Sequence, residues 1–203
     1  MCIILALMNF TQGLSALKTV IYNSTYLCEN DWEEFSKHWE FKKYKRKEII
    51  TNSAETEQYL YFILEGIQRV YFISEQNKEA TLVFTHSNSF GGVLDSFLLQ
   101  QPSDYYYESL TASSVLRIKH EHFDASVKKY PEIQEFMEQA SYFSIKGLLT
   151  RMAELQCYSS EEKFKSLLHR SPQILQLAPH KYIANYLGID PTNFSKLLNT
   201  IKI

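Results

Sequence analysis

The run YLYFILEGIQRVYFIS, residues 59–74, decides how the rest of the chain is read. Aromatic and β-branched side chains crowd it, and such side chains fit the pleated surface of a strand. Gly66 interrupts the run and predicts a sharp turn or bulge between two paired strands. Working outward, FKKYKRKEII (41–50), ATLVFTH (80–86) and YYYESLTASSVLRIKH (105–120) have the same character, separated by breaks such as TNSAETE and SEQNKE. Strands so closely spaced, without helices between them, predict antiparallel pairing in a sandwich or barrel. The basic run Lys42, Lys43, Lys45, Arg46, Lys47 falls among them. It reads as the solvated face of a hairpin rather than a DNA contact, with Phe41, Tyr44, Ile49 and Ile50 on the buried side.

After His120 the period changes. Ile133, Phe136, Met137, Ala140, Phe143, Gly147, Leu148, Met152 and Leu155 recur at three- and four-residue spacings, behind a proline at 131 that suits a helix start. At 1.5 Å per residue such a helix runs roughly 35 Å, longer than a small β-domain can cover. Its apolar stripe therefore suits pairing with the same helix of a second chain, with Ile133, Phe136, Met137, Ala140, Phe143 and Gly147 at the seam; the alternative is packing against the chain's own β-domain. A further helix, SSEEKFKSLLHR, is capped by Ser159 or Ser160 and stopped by Pro172.

The end of the chain, YIANYLGIDPTNFSKLLNTI (182–201), holds two short apolar-striped helical stretches. Neither is long enough to stand alone in water, so both must pack. Gly188 can end the first in the left-handed conformation; Asp190 can cap the second, with Pro191 in its first turn. Ile183, Ala184, Leu187, Ile189, Phe194, Leu197 and Leu198 face inward. Two helices joined by a short glycine-containing turn form the helix-turn-helix pattern. The outward face of the second helix then carries Pro191, Thr192, Ser195, Lys196 and Asn199, with Asn193 beside them and Lys181 on the first helix. Compact polar groups and a cation, with no acid after the cap, suit contact with bases and phosphates.

Charge agrees with this division. Residues 146–203 carry eight basic against four acidic side chains, while residues 1–145 carry 13 against 19. A basic tail on an acidic body points to a polyanionic partner. The cysteines, Cys2, Cys28 and Cys157, are three and far apart, which gives no zinc spacing and too few thiolates for an iron–sulfur cluster. They read as free thiols of a reducing cytoplasm. His86, His120 and His122 share no ligand spacing, so no metal or other cofactor is expected. MCIILALMNF lacks a basic leader and is too short to span a bilayer; it reads as a packed or frayed segment, and no membrane association is expected.

The chain resembles the Crp/Fnr family of bacterial transcription regulators from Leu17 to Ile203. YLYFILEGIQRVYF, SFGGVLDSF, TASSVLRI and YIANYLGIDPTNFSKLL match its landmarks in order and spacing. The resemblance implies an α+β chain in three parts: a cyclic-nucleotide-binding-type antiparallel β-roll over residues 1–130, a dimerisation helix over 131–157, and a winged helix-turn-helix over 158–203. It implies a homodimer on double-stranded DNA, with RNA polymerase as a further partner. Because the chain stops soon after the second helix of the pair, any wing is expected around QILQLA (173–178).

The same resemblance shows where this chain departs. Relatives responsive to cAMP open the phosphate cassette with Gly-Glu-Leu and place Arg-Ser eleven residues past the glycine. Here those positions are Gly92-Val93-Leu94 and Ser103-Asp104. Val93 accepts no hydrogen bond, Ser103 carries no charge, and Asp104 adds an anion, so cAMP and cGMP are expected not to bind. Of Tyr105, Tyr106 and Tyr107, strand alternation sends one of the faces inward, toward an aromatic effector pocket or a filled core. The effector is thus an unidentified small molecule or none. The expected function is sequence-specific regulation of transcription; the competing reading is a ligand-sensing module whose helical tail meets a protein. An enzyme would need a clustered metal set or a nucleophile–base pair, and the strands offer neither.

Overall fold

In the computed structural model, which describes residues 2–200, helices α1 (Cys2–Tyr22) and α2 (Glu29–Ser36) precede the first strand. There follow β1 (Trp39–Tyr44), β2 (Ile49–Thr51), β3 (Tyr59–Glu65), β4 (Ile67–Ile73), β5 (Glu79–His86), β6 (Phe90–Gly91), α3 (Leu94–Leu99), β7 (Tyr106–Ser109) and β8 (Ser113–Lys119). The strands form two antiparallel four-stranded sheets, ordered β1-β8-β3-β6 and β2-β7-β4-β5. In the first sheet β8 lies between β1 and β3, pairing Trp39 and Leu60 with Ile118 from either side. This is a jelly-roll-type β-domain in an α+β chain, as expected.

Strand alternation explains why the opening run is apolar almost without interruption. Leu60 and Phe62 of β3, with Leu116 and Ile118 of β8, face a core built with Leu17, Ile21, Trp32, Phe35 and Phe123. Tyr61 and Ile63, with Val115, face the other way, into the space between the sheets alongside Tyr44, Val70 and Tyr107. A strand buried on both faces must be apolar at every position. Gly66 does not join a paired hairpin: β3 and β4 lie in different sheets, and Gly66, at φ +91, marks the crossing. The stretch 41–50 likewise breaks into two strands around Lys45–Glu48. Its basic side chains are exposed, but so is Ile49, which was expected on the buried side.

Helix α4 (His120–Lys129) leads into α5 (Pro131–Cys157), whose bounds match the long periodic stretch. Its apolar stripe divides in two. Ile133 is fully buried and Phe136 nearly so, in the core that α1, α2 and the first sheet share, with Phe90 5.3 Å from Phe136 and Met137 packed alongside. These three expected seam residues therefore belong to the chain's own core, because the start of α5 lies directly against the first sheet. Beyond Ser141 the pattern reverses: Tyr142, Phe143, Ile145, Leu148, Leu149 and Met152 are all more than half exposed, and nothing lies within 4 Å of where a Gly147 Cβ would stand.

The described residues divide into two compact units. One runs through Val70 and includes Phe84–Ser141; the other comprises Tyr71–Val83 with Tyr142 onward. In the second, α6 (Ser160–Arg170), α7 (Ile174–Leu177), α8 (His180–Leu187) and α9 (Pro191–Thr200) bury Phe164, Leu167, Ile174, Ile183, Leu187 and Phe194. Ser159 caps α6 in a reciprocal capping box with Glu162. The expected wing does not form: residues 174–177 close one helical turn, and no strand follows β8 among the described residues.

Candidate effector site and nucleic-acid interface

The segment expected to hold an effector runs from Gly92 through the α3 helix to Tyr107. Gly92 takes a positive φ of 111, Val93 is buried among the inter-sheet side chains, and Leu94 begins α3 while packing on the helix-side core. Ser103 is buried. Its hydroxyl donates to the Tyr105 carbonyl at 3.0 Å and accepts from the Tyr105 amide at 2.8 Å, so its own turn uses it. Asp104 is exposed and Tyr105 partly buried against the inter-sheet cluster. Tyr107 is the one of the three tyrosines sent fully inward.

Tyrosines fill that interior. Tyr61 lies 5.5 Å from Tyr107 and 6.3 Å from Tyr44, ring to ring. The Tyr107 hydroxyl meets Thr85 at 3.1 Å, and a Cβ on Gly91 would come within 2.3 Å of it, so only glycine admits the ring there. Burial pushes the hydroxyl pKa values of Tyr61 and Tyr107 upward, which keeps both neutral.

Within this interior sits a carboxylate that the sequence reading did not single out. Glu57 is 1% exposed. Its Oε2 accepts from the Thr51 hydroxyl at 2.6 Å and the Val93 amide at 3.3 Å; its Oε1 accepts from the Tyr59 amide and the Tyr61 hydroxyl, each at 3.2 Å. Burial pushes its pKa up, against the opposing pull of those hydrogen bonds. A second buried charge, Arg69 on β4, pairs with Glu108 on β7 at 2.8 Å. In sequence, Glu57 is one of two acids in a polar break and Arg69 one cation in a strand, so spacing distinguishes neither.

The C-terminal helix pair forms as expected. Gly188 closes α8 at φ +63, a conformation that disfavours any residue with a Cβ. Asp190 caps α9: its Oδ1 accepts from the Thr192 amide at 2.8 Å and the Asn193 amide at 3.3 Å. The Phe194 ring meets Phe164 edge-on at 5.4 Å, which seats α9 on α6. Pro191, Thr192, Asn193, Ser195, Lys196, Asn199 and, on α8, Lys181 are all exposed. Two of these groups are already engaged: the Asn193 amide donates to the Ser160 hydroxyl at 3.2 Å, and the Ser195 hydroxyl donates back to the Pro191 carbonyl at 2.9 Å. Lys181 extends over the ring of its neighbour Tyr182, 4.4 Å from the centroid. Asn185, unremarked in the sequence, holds both the Glu79 carbonyl at 2.6 Å and the Thr81 amide at 2.5 Å.

Among the described residues no three His, Cys, Asp or Glu side chains group as a metal site, and no helix is long and apolar enough to cross a membrane.

Residues 41–130 match the model of the cyclic nucleotide-binding domain. FixK2 from Bradyrhizobium japonicum shares the fold with a TM-score of 0.72 at 16% identity, over 79% of this chain and 83% of that one. The c-di-GMP-responsive global regulator CLP from Xanthomonas campestris does so with a TM-score of 0.66 at 14% identity, over 85% and 90%. A protein of Eubacterium rectale, described as a transcriptional regulator of the Crp/Fnr family, gives 0.67 at 17% identity, over 85% and 82%. No curated protein matches the chain in sequence. At these identities the likeness is one of fold: a cyclic nucleotide-binding-type β-roll followed by helices.

Proposed function

We propose that this chain is a cytoplasmic, homodimeric transcription regulator of the Crp/Fnr type that binds specific double-stranded DNA, acts by binding rather than catalysis, and does not respond to cAMP. The observation that carries the reading is the outer face of α9. It is exposed, capped at its N-terminus and free of acidic side chains, with Thr192, Lys196 and Asn199 turned to solvent. A helix presenting small polar groups and a cation near its N-terminus is what the major groove accepts.

Two further features support it. The exposed apolar half of α5 suits the same helix of a second copy, and a two-fold pair of α9 helices would read half-sites about 34–36 Å apart. The proposed seam would use Phe143 and Gly147, with Ala140 at its edge, and RNA polymerase is the further partner such a regulator would engage. At the effector site the Ser103 hydroxyl is taken up by Tyr105, Val93 is buried hydrocarbon, and tyrosines occupy the interior.

Fluorescence anisotropy on genomic fragments, without nucleotide, tests the proposal. Tight binding to a pseudo-palindromic subset is expected, and Lys196→Ala should weaken it by about 1–3 kcal/mol and flatten its salt dependence. Binding with no sequence preference, or none except with cAMP present, would refute it.

A further inference from the structure

Glu57 is a buried carboxylate that forms no ion pair among the described residues. The ionisable groups around it are Tyr44, Tyr61 and Tyr107, and the Arg117 guanidinium lies over the Tyr59 ring, 4.0 Å from its centroid. What holds it is a set of four donors from three parts of the chain: Thr51 on β2, Tyr59 and Tyr61 on β3, and Val93 just before α3. Two of them are backbone amides, which can only donate, one on each carboxylate oxygen. A site lined in this way is built around an acceptor, and best around a negative one.

The backbone of the same residue and its neighbours is stitched to the same segment. The Glu57 amide donates to the Ser96 hydroxyl at 3.0 Å, and the Gln100 side chain donates to the Glu57 carbonyl at 3.3 Å. The Ala54 amide reaches the Ser103 carbonyl at 2.7 Å, and the Ser103 amide reaches the Glu55 carbonyl at 2.9 Å. Residues 92–103 are thus fastened at both ends to residues 54–57, and the Glu57 carboxylate closes the inner end.

We infer that Glu57 is a resident anion: its carboxylate takes up the donors that an anionic ligand would need and orders residues 92–103 without one. This rests on the reading of the β-roll as one that does not answer to cyclic nucleotide, and it supplies a reason. An incoming phosphate would find its donors taken and a like charge in a low-dielectric interior.

The test is melting of the full chain at pH 8 in sodium formate or sodium chloride of equal ionic strength. Glu57→Ala leaves several buried donors unpaired around a carboxylate-sized hole, so its midpoint should fall by at least roughly 5 °C in chloride. Formate should then raise the midpoint of this variant above its value in chloride, while the wild type shows no formate-specific shift. A variant that melts like the wild type, or that is destabilised equally in both salts, overturns the inference. Should Glu57→Ala not fold, Glu57→Gln keeps the shape but turns an amide donor toward donors. It is expected to melt below the wild type without a formate effect, and a midpoint at or above the wild type refutes a resident anion. DNA binding by the wild type, measured in parallel, reports on the proposed function separately: its failure would leave the melting comparison standing, and the reverse.

Discussion

The interior between the two sheets and the far half of α5 are opposites. Between the sheets polar groups are matched from within, Glu57 by four donors and Tyr107 by Thr85, and elsewhere in the β-domain buried Arg69 is matched by Glu108. On α5, six large apolar side chains from Tyr142 to Met152 face solvent, and on α9 the polar face is turned out. A buried polar group without a partner costs more than an exposed one, so the chain completes its interior by itself. Surfaces that it leaves incomplete are those where other molecules belong. On the proposed reading, the β-roll serves as scaffold and the helices carry the contacts with other molecules.

Breaking the interior should have the largest effect. Glu108→Ala removes the carboxylate that pairs with the Arg69 guanidinium, which is 2% exposed, and is expected to lower stability by up to about 3–5 kcal/mol in a denaturant titration. Next comes the open surface. Leu149→Glu places a charge in the exposed stripe; it should leave the fold intact, give a monomer in light scattering, and weaken binding to a two-half-site DNA by about 100-fold or more as avidity is lost. A mutant that stays dimeric would place the seam elsewhere.

Smaller effects sharpen the boundary between the two kinds of region. Glu154 at the end of α5 is held by Arg170 and Ser166, and the Arg170 contact keeps its pKa below the ordinary value of 4.5. A depressed carboxylate stabilises above its unfolded value and loses that contribution as pH falls through its folded value. Glu154→Gln should therefore cost about 1–2 kcal/mol at pH 7, discounted for the partly exposed arginine, and the difference from the wild type should shrink progressively as the pH falls below the ordinary carboxylate value. Asp190→Ala removes the cap of α9 and should cost about 1 kcal/mol, with DNA binding weakened because the helix N-terminus frays. Circular dichroism melts alongside anisotropy separate the two effects.

Much of this was legible in the chain itself. Residue type marked most of the strands between residues 41 and 120, apolar spacing the long helix α5, and turn and cap chemistry the break at Gly188 with its cap at Asp190. These features are local, determined by side-chain shape, backbone freedom and hydrogen bonds within a few residues. Val93, Ser103 and Asp104, on which the proposed lack of a cAMP response rests, could also be picked out in the sequence, though only by way of the family resemblance.

Other features depended on which surfaces meet. Apolar spacing marks Ile133 and Phe143 alike, yet one is fully buried and the other is 70% exposed, because burial depends on where the helix leaves the sheet. Gly66 announced a break, but whether the next strand stays in the sheet or crosses to the other is a long-range matter of pairing. QILQLA was the place left for a wing and instead closes a helical turn at Ile174–Leu177. Glu57 lay in a polar break like any surface acid. Only the fold brings Thr51, Tyr61 and Val93 to its carboxylate, since partners up to 36 residues away leave no trace in local spacing.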